Sequence, residues 1–377
     1  MTGSSTRIRS CSFCVMDDTD PDIAYNARGE CNHCRHAMAR LVSEQFTDAV
    51  GRARRDRLIA RIVGDGVGQD YDCILGVSGG MDSTYALLVA HQLGLRPLAV
   101  HLDNGWNSEL AVSNIEKSIK SLNVDLVTHV VDWEEIKDLQ RAFFIASLAN
   151  IEVITDHAIF AILYLEAERR NIKWIISGSN VTTESIMPDS WGYDTRDSRH
   201  ITSVHRRFGT VPLATFPILT PWHFLEIVML GNVKIIPILN YETYDRARAT
   251  EAVVDRLRWV PYARKHGESR FTRFFQEYYL PTKFRADKRK AHFSSMICSG
   301  QMTRAEAQQR LSEPLYTTDQ LEDDLHFVTK KLGFTRSEWN AVMSAPRKTH
   351  RDYPSFNWMF SKRNVITPWI RRRAKGE

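Results

Sequence analysis

No run of 18 apolar residues occurs in the chain, so no segment is expected to cross a membrane as a helix. The opening residues Met1-Thr2-Gly3-Ser4-Ser5-Thr6-Arg7 lack the apolar stretch of a secretory signal, and a cytoplasmic location is expected. Charge of one sign is scarce: the formal net charge is +5 over 377 residues. That balance permits an acidic substrate without demanding nucleic acid, and no nucleic-acid partner is expected. The string Gly-x-x-x-x-Gly-Lys-Ser/Thr is absent, which excludes a Walker-type phosphate loop. No internal repeat and no low-complexity tract is found. What remains is an ordinary globular composition, 43% hydrophobic and 25% charged, in a chain long enough for two or three domains.

Cysteine is also scarce, yet four of the six lie within the first 34 residues. Cys11-x-x-Cys14 and Cys31-x-x-Cys34 are 16 residues apart. In a reducing compartment such pairs indicate metal rather than disulfide. Each pair bends two thiolates towards one tetrahedral ion, and four thiolates leave no open position. The site is therefore expected to hold structural Zn²⁺. His33 and His36 are spare ligands that a complete set does not need. Asn26-Ala27-Arg28-Gly29 between the pairs suits a hairpin turn. Cys73 reads as a buried, inert residue. Cys298 is either a reactive thiol or a buried one.

The most informative string is Ser78-Gly79-Gly80-Met81-Asp82-Ser83, directly after the apolar run 71–77 and before a helical segment. Adjacent glycines let backbone approach an anion closely, and Ser83 and its neighbours would aim N–H groups at it from a helix N-terminus. Asp82 beside a polyanion is a candidate Mg²⁺ ligand. Strands are expected at 72–77, 96–102, 125–131, 174–178 and 234–238, the last at a sheet edge because of Pro237. Helical spacing of apolar residues is clear over 110–122 and 158–169, and a charged amphipathic helix is expected over 41–62. The alternation predicts an α/β, doubly wound parallel sheet. The expected organisation is a zinc ribbon over 1–40, a helical linker over 41–70, a nucleotide domain over 71–240, and a helical region over 241–377.

Ligands of such sheets sit beyond the carboxyl ends of the strands. The candidate loops are 78–83, 101–107, 132–133 and 178–184. They offer His101, Asp103, Trp106 and Asn107, then Gly178, Asn180 and Glu184. Trp106 could equally pack on the surface, with Ser108 capping a helix. Asp156 and His157 open a helix after Thr155, where Asp156 could simply favour the helix dipole and His157 could equally be a packed surface histidine. Residues 191–194 fall in a long aperiodic segment of the kind that often binds ligands. A cation outside the glycine loop is needed to stabilise a leaving phosphate group. Lys265, Arg273, Lys288 and Arg289 are the candidates, while the basic run 371–375 reads as a solvated tail.

The loop resembles the PP-loop of the ATP pyrophosphatase superfamily, with signature Ser-Gly-Gly-x-Asp-Ser. A wider ordered set narrows this. It comprises Cys11 to Asp17, Thr19-Asp20-Pro21-Asp22-Ile23, the loop itself, Val100 to Ser108, Thr155-Asp156-His157-Ala158, Thr272-Arg273-Phe274-Phe275-Gln276 and Asp287-Lys288-Arg289-Lys290-Ala291-His292. Together these strings, spread over about 8–355, resemble the N-acetyl sugar amidotransferases of bacterial surface-polysaccharide (LPS O-antigen) biosynthesis. The resemblance implies ATP and Mg²⁺ at the loop, with adenine or ribose received near His101 and Asp103. It implies adenylation of an acetamido oxygen on a nucleotide sugar, then substitution by ammonia to give an acetamidino sugar. No cysteine sits in a Gly-x-Cys-x-Gly elbow and residue 2 is Thr, so no glutaminase is recognisable. The implied partner is a separate glutaminase resembling the histidine-biosynthesis amidotransferase, with a barrel subunit conducting ammonia. Two rivals share some features: a tRNA-modifying PP-loop enzyme, which should carry a basic stripe and a cysteine pair, and a zinc-ribbon nucleic-acid module with a degenerate loop.

Overall fold

The computed structural model describes residues 8–262 and 267–360. Its centre is a parallel sheet of β1 (Cys73–Gly76), β2 (Pro97–Asp103), β3 (Leu126–Val130), β4 (Trp174–Ser177) and β5 (Lys234–Pro237), in the order β3-β2-β1-β4-β5. Strands β1, β2 and β4 are mostly apolar on both faces, whereas the edge strand β3 leaves Leu126 and Val130 exposed. Ile74, Leu98, Val100 and Ile175 enter one core, while Cys73, Leu75, Ala99, Trp174 and Ile176 enter the other. Alternate residues thus enter two different cores, and apolar residues of both parities are what central strands covered on both sides require. Pro237 pairs with Ser177 on β5, an edge strand, where a residue lacking an N–H is tolerated.

Helices α1 (Asn32–Glu44) and α2 (Ala49–Asp65) precede the sheet. The single helix expected over 41–62 is thus two, because residues 45–48 leave the helix and the Asp48 side chain caps the second. Helices α3 (Met81–Gln92) and α4 (Glu109–Leu122) cover one face. The other carries α5 (Trp133–Ile145) and α6 (Val153–Arg169), followed in the chain by α7 (Val181–Glu184), α8 (Ser198–Phe208) and α9 (Pro221–Met229). Helix α5 was not expected. Asp132 caps it by accepting from the N–H groups of Glu134 and Glu135, so 132–133 is a helix start rather than an open loop. Helix α6 begins at Val153, which puts Asp156 and His157 inside its first turns. Trp191, in the aperiodic segment, is buried against the core instead of facing solvent.

The C-terminal region is helical: α10 (Arg246–Leu257), α11 (Arg270–Phe274), a π-helical stretch (Phe275–Phe284) containing Pro281, then α12 (Lys288–Cys298), α13 (Arg304–Ser312), α14 (Thr318–Leu332) and α15 (Arg336–Ser344). It does not stand apart from the sheet. Phe144 of α5 meets Tyr279 at 4.9 Å and Trp339 at 5.1 Å between ring centres, an edge-to-face cluster that joins the two regions. The N-terminal ribbon is joined as firmly. Val15 N–H donates to Ser294 Oγ at 3.2 Å, and Arg304 donates to the Cys14 and Cys11 carbonyls at 3.1 Å. Ribbon, one sheet face and C-terminal helices share one buried cluster. Among the described residues, no helix is long and apolar enough to cross a membrane.

Candidate functional site

Strand order sets the place. β1 is flanked by β2 on one side and by β4 on the other, so the connections after β1 and β4 diverge and leave a crevice between them. The loops entering it are 78–83 and 178–184. Gly79 has φ +78°, and a Cβ there would lie 2.7 Å from the Ala111 carbonyl oxygen, so only glycine fits. A Cβ at Gly178 would lie 2.9 Å from the Asp82 carbonyl oxygen, which brings the β4 loop directly against the start of α3. Ser78 Oγ and Ser83 Oγ are 3.1 Å apart, and Ser78 Oγ accepts from Gly80 N–H at 3.3 Å. Helix α3 starts after Gly80 with no side-chain cap, so its first N–H groups face the crevice. A narrow glycine cradle, two hydroxyls and an uncapped helix start fit a phosphate chain.

The cradle is held from behind by residues far away in the chain. Trp259 Nε1–H and the Tyr262 hydroxyl both donate to the Gly79 carbonyl, at 3.0 and 2.9 Å. Ser108 N–H donates to the Glu268 carbonyl at 2.9 Å, which brings 267–269 alongside. The Tyr244 hydroxyl donates to Asp82 Oδ1, and Arg246 Nη1 stands 3.8 Å from Asp82 Oδ2. Burial, with the Asp82 charge, pushes the Tyr244 phenol far above its usual range. Sequence reasoning missed Tyr244, Arg246, Trp259, Tyr262 and Glu268. They carry no motif, and it is the docking of α10 on α3 that delivers the first two.

At the end of β2, His101 Nδ1 sits 2.8 Å from the Val77 carbonyl and so carries the proton. Its Nε2 then accepts from Asn107 Nδ2 at 3.0 Å, and burial lowers the ring's pKa. His101 is therefore a neutral strut behind the loop. Asn107 also reaches Asp103 Oδ1 at 3.3 Å, so its amide serves the β2 turn. Asn104 Nδ2 donates to Thr155 Oγ1 at 3.3 Å and ties this turn to the start of α6. Asp156, one turn along from Glu152, keeps solvent-accessible surface although protein packs densely around its carboxyl. Lost water and the Glu152 carboxylate push its pKa up to about 7, against the opposing pull of Lys288. Glu152 in turn accepts from Thr272 Oγ1 and from Gln276 Nε2. Lys288 Nζ lies 5.2 Å over the Phe275 ring. Glu184 is exposed and its charge reaches Tyr244.

Several expected site residues are placed elsewhere. Trp106 is buried, donates from Nε1 to Gln140 Oε1 at 2.9 Å, and packs on Trp133 and Phe271; it is a core residue. His157 is fully buried, with Nδ1 on the Thr195 carbonyl and Nε2 accepting from Leu219 N–H at 3.2 Å; burial lowers its pKa to about 4. Both ring nitrogens are spent inside the protein. Asn180 is buried and caps α7 by accepting from Thr183 N–H at 2.8 Å. Arg273 donates to Asp324 at 2.8 Å, a fully buried carboxylate that also pairs with Arg270. Arg289 is spent on Asp287 and on carbonyls at the end of α13. Lys265 lies outside the described residues.

The second site is closed. Cys11, Cys14, Cys31 and Cys34 are fully buried, and their sulfurs lie within 4.8 Å of one another. Cys11–Cys34 and Cys14–Cys31 sulfur separations are 3.8 and 3.6 Å, close to the ~3.8 Å edge of a tetrahedron with Zn–S of about 2.3 Å. Cys11 Sγ accepts from the N–H groups of Phe13, Cys14 and Cys31. Burial alone would raise its pKa, but those N–H groups outweigh it and bring the thiol to about 7. The donor set fits zinc. Cys298 sits beside the cluster with its Sγ 3.8 Å from the Cys34 carbonyl, and burial pushes its thiol up to about 12; it is a packed residue with no thiolate character.

Residues 268–364 match the family model described as LPS biosynthesis protein WbpG-like, C-terminal domain. That segment contains the 272–276 and 287–292 strings, and the match agrees with the resemblance drawn from the motifs. No curated protein matches the chain. Among solved structures the chain is similar to the NMN synthetase from Francisella tularensis, at 14% identity over 75% of this chain and 97% of that one, with a TM-score of 0.30.

Proposed function

We propose that the chain is an ATP-using enzyme of LPS biosynthesis, and more finely an AMP-forming amidotransferase that converts an acetamido group of a nucleotide sugar to an acetamidino group. One observation carries the reading: a glycine cradle at an uncapped helix start, at the sheet switch point, with a carboxylate in its first turn. The C-terminal family match supports the pathway assignment.

An amide oxygen is a poor leaving group. In the proposed reaction it attacks the α-phosphorus of ATP, the bond to the bridging oxygen breaks, and pyrophosphate leaves. Ammonia then adds to the imidate carbon, the C–O bond breaks, AMP departs, and the proton stays on the basic amidine. The loop N–H groups and the Ser78 and Ser83 hydroxyls would hold the phosphates. Mg²⁺ bound at Asp82 would neutralise charge on them. In this reading Asp103 would lie on the nucleoside side, and Asp156, Glu184 and Lys288 on the sugar side. Ammonia would come from a separate glutaminase with a barrel subunit.

The test uses the full chain with ATP, Mg²⁺, ammonium and a panel of nucleotide sugars. AMP and pyrophosphate should appear in step with amidine, and glutamine alone should not replace ammonium. Asp82→Ala should cost on the order of 10²-fold or more in rate, as loss of preorganised charge stabilisation does. Release of ADP instead of AMP refutes the reading, and AMP release that needs tRNA transfers it to the tRNA-modifying rival.

A further inference from the structure

We propose that Arg246 is the cation that receives the departing pyrophosphate, and that its contact with Asp82 is its resting position. This rests on the reading of the loop as an ATP site.

A leaving pyrophosphate concentrates negative charge, and the first turn of α3 supplies dipoles but no cation. The arginines nominated by sequence are otherwise engaged. Arg273 is neutralised by the buried Asp324, and Arg289 by Asp287 and the α13 carbonyls. Arg246 differs from both. It is the first residue of α10, and its Nη1 is shielded from solvent yet has no hydrogen-bond partner. At 3.8 Å, Asp82 Oδ2 balances the charge without accepting a hydrogen bond from that nitrogen. A buried charged donor left unmade is costly, so the arrangement suits an acceptor that arrives later.

The surroundings specify which acceptor. Asp82 Oδ1 is taken by the Tyr244 hydroxyl. Gln301 donates from Nε2 to the Tyr244 carbonyl at 2.9 Å and accepts from the Arg246 N–H at 3.4 Å. One side chain thus pins the backbone at both residues, while their side chains reach the glycine loop. Once Asp82 turns to Mg²⁺, its charge no longer balances Arg246, and the guanidinium is left beside the phosphates. Its planar fork matches two phosphate oxygens, which a lysine point charge does not. Adenosine and the α-phosphate are not required for this contact, so the ligand class is inorganic pyrophosphate or the β,γ-end of ATP.

The decisive measurement is calorimetric binding of Mg²⁺–pyrophosphate and, separately, of AMP to the full chain, its Arg246→Gln and Arg246→Lys variants, and Arg273→Gln as a control. Arg246→Gln should weaken pyrophosphate about 10- to 100-fold, the range for a hydrogen bond to a charged group, with AMP affinity unchanged. Arg246→Lys should recover only part of the loss. Thermal midpoints identify any variant that is merely misfolded, and the lysine variant then carries the test. Equal pyrophosphate affinity in folded Arg246→Gln and wild type overturns the proposal. Wild-type protein that binds neither pyrophosphate nor AMP overturns the underlying ATP reading instead, so the two failures are distinguishable.

Discussion

At the cysteine cluster the polar groups satisfy one another: four buried sulfurs face a common centre, and backbone N–H groups point at them. At the glycine loop a helix begins without a cap and a guanidinium nitrogen lacks an acceptor. The first arrangement uses its donors to hold a shape. The second keeps donors in reserve, at a cost in stability, for something that is not the protein. The same contrast separates two arginines. Arg273 is saturated by Asp324, whereas Arg246 is balanced but not hydrogen-bonded through Nη1.

The contrast breaks most visibly if the closed set is opened. Cys14→Ser should lose the metal, since structural zinc contributes of the order of 10 kcal/mol to the folding of its module. Because the ribbon is clamped to α12 and α13 through Ser294 and Arg304, the loss should also loosen those helices while the sheet stays folded. Hydrogen exchange should show protection falling in 8–44 and 288–312 and holding in the strands. Metal analysis finding no zinc in wild-type protein purified without chelator refutes the assignment.

Acid should test other closed groups. Burial holds His157 near pKa 4 and His200 near 3, and burial plus the neighbouring His200 holds His350 well below its ordinary value. All three are neutral when folded but take up protons below about 6.5 when unfolded. Stability is therefore present above that pH and lost as pH falls towards the folded values, at ~1.4 kcal/mol per pH unit for each histidine. Asp156, raised to about 7, works in the opposite direction over the same range and offsets one of the three. The urea midpoint should fall between pH 6.5 and 5, and less steeply in His157→Gln. An unchanged midpoint removes the argument.

The smallest effect sharpens the arginine pair. Arg273→Ala should destabilise by about 1.5–3 kcal/mol, the loss of a hydrogen bond to a charged group, since Arg270 and Tyr316 still serve Asp324. Its apparent KM for ATP should not move. A stable Arg273→Ala protein with impaired ATP use would return Arg273 to the phosphate site.

Legibility in the sequence followed range. The strands and the cysteine site could be read because neighbours along the chain dictate them: a run of apolar residues, a thiolate pair two residues apart. The loop could be read because glycine and hydroxyl positions within six residues build it. Roles of single side chains could not. Trp106 looked like a loop residue and is core, because α5, unseen in the sequence, brings Gln140 and Trp133 to it. His157 read equally as a site residue or a packed surface histidine and is instead fully buried, because Thr195 and Leu219 close on its ring from distant segments.

By itself the sequence determined the parallel sheet, the four-cysteine set and the position of the glycine loop, since each depends on local spacing and backbone geometry. Only the tertiary structure decided which cations stay uncommitted. Arg246, Arg273 and Arg289 are the same residue type; Asp287, two residues before Arg289, is a local partner, but nothing in the local strings of Arg246 and Arg273 distinguishes those two. Packing of α10 on α3 brings Arg246 to Asp82, while α14 brings Asp324 to Arg273 and Asp287 with the end of α13 occupies Arg289. Charge pairing is settled by what lies within a few ångströms in space, and in this chain those partners are mostly supplied from other elements.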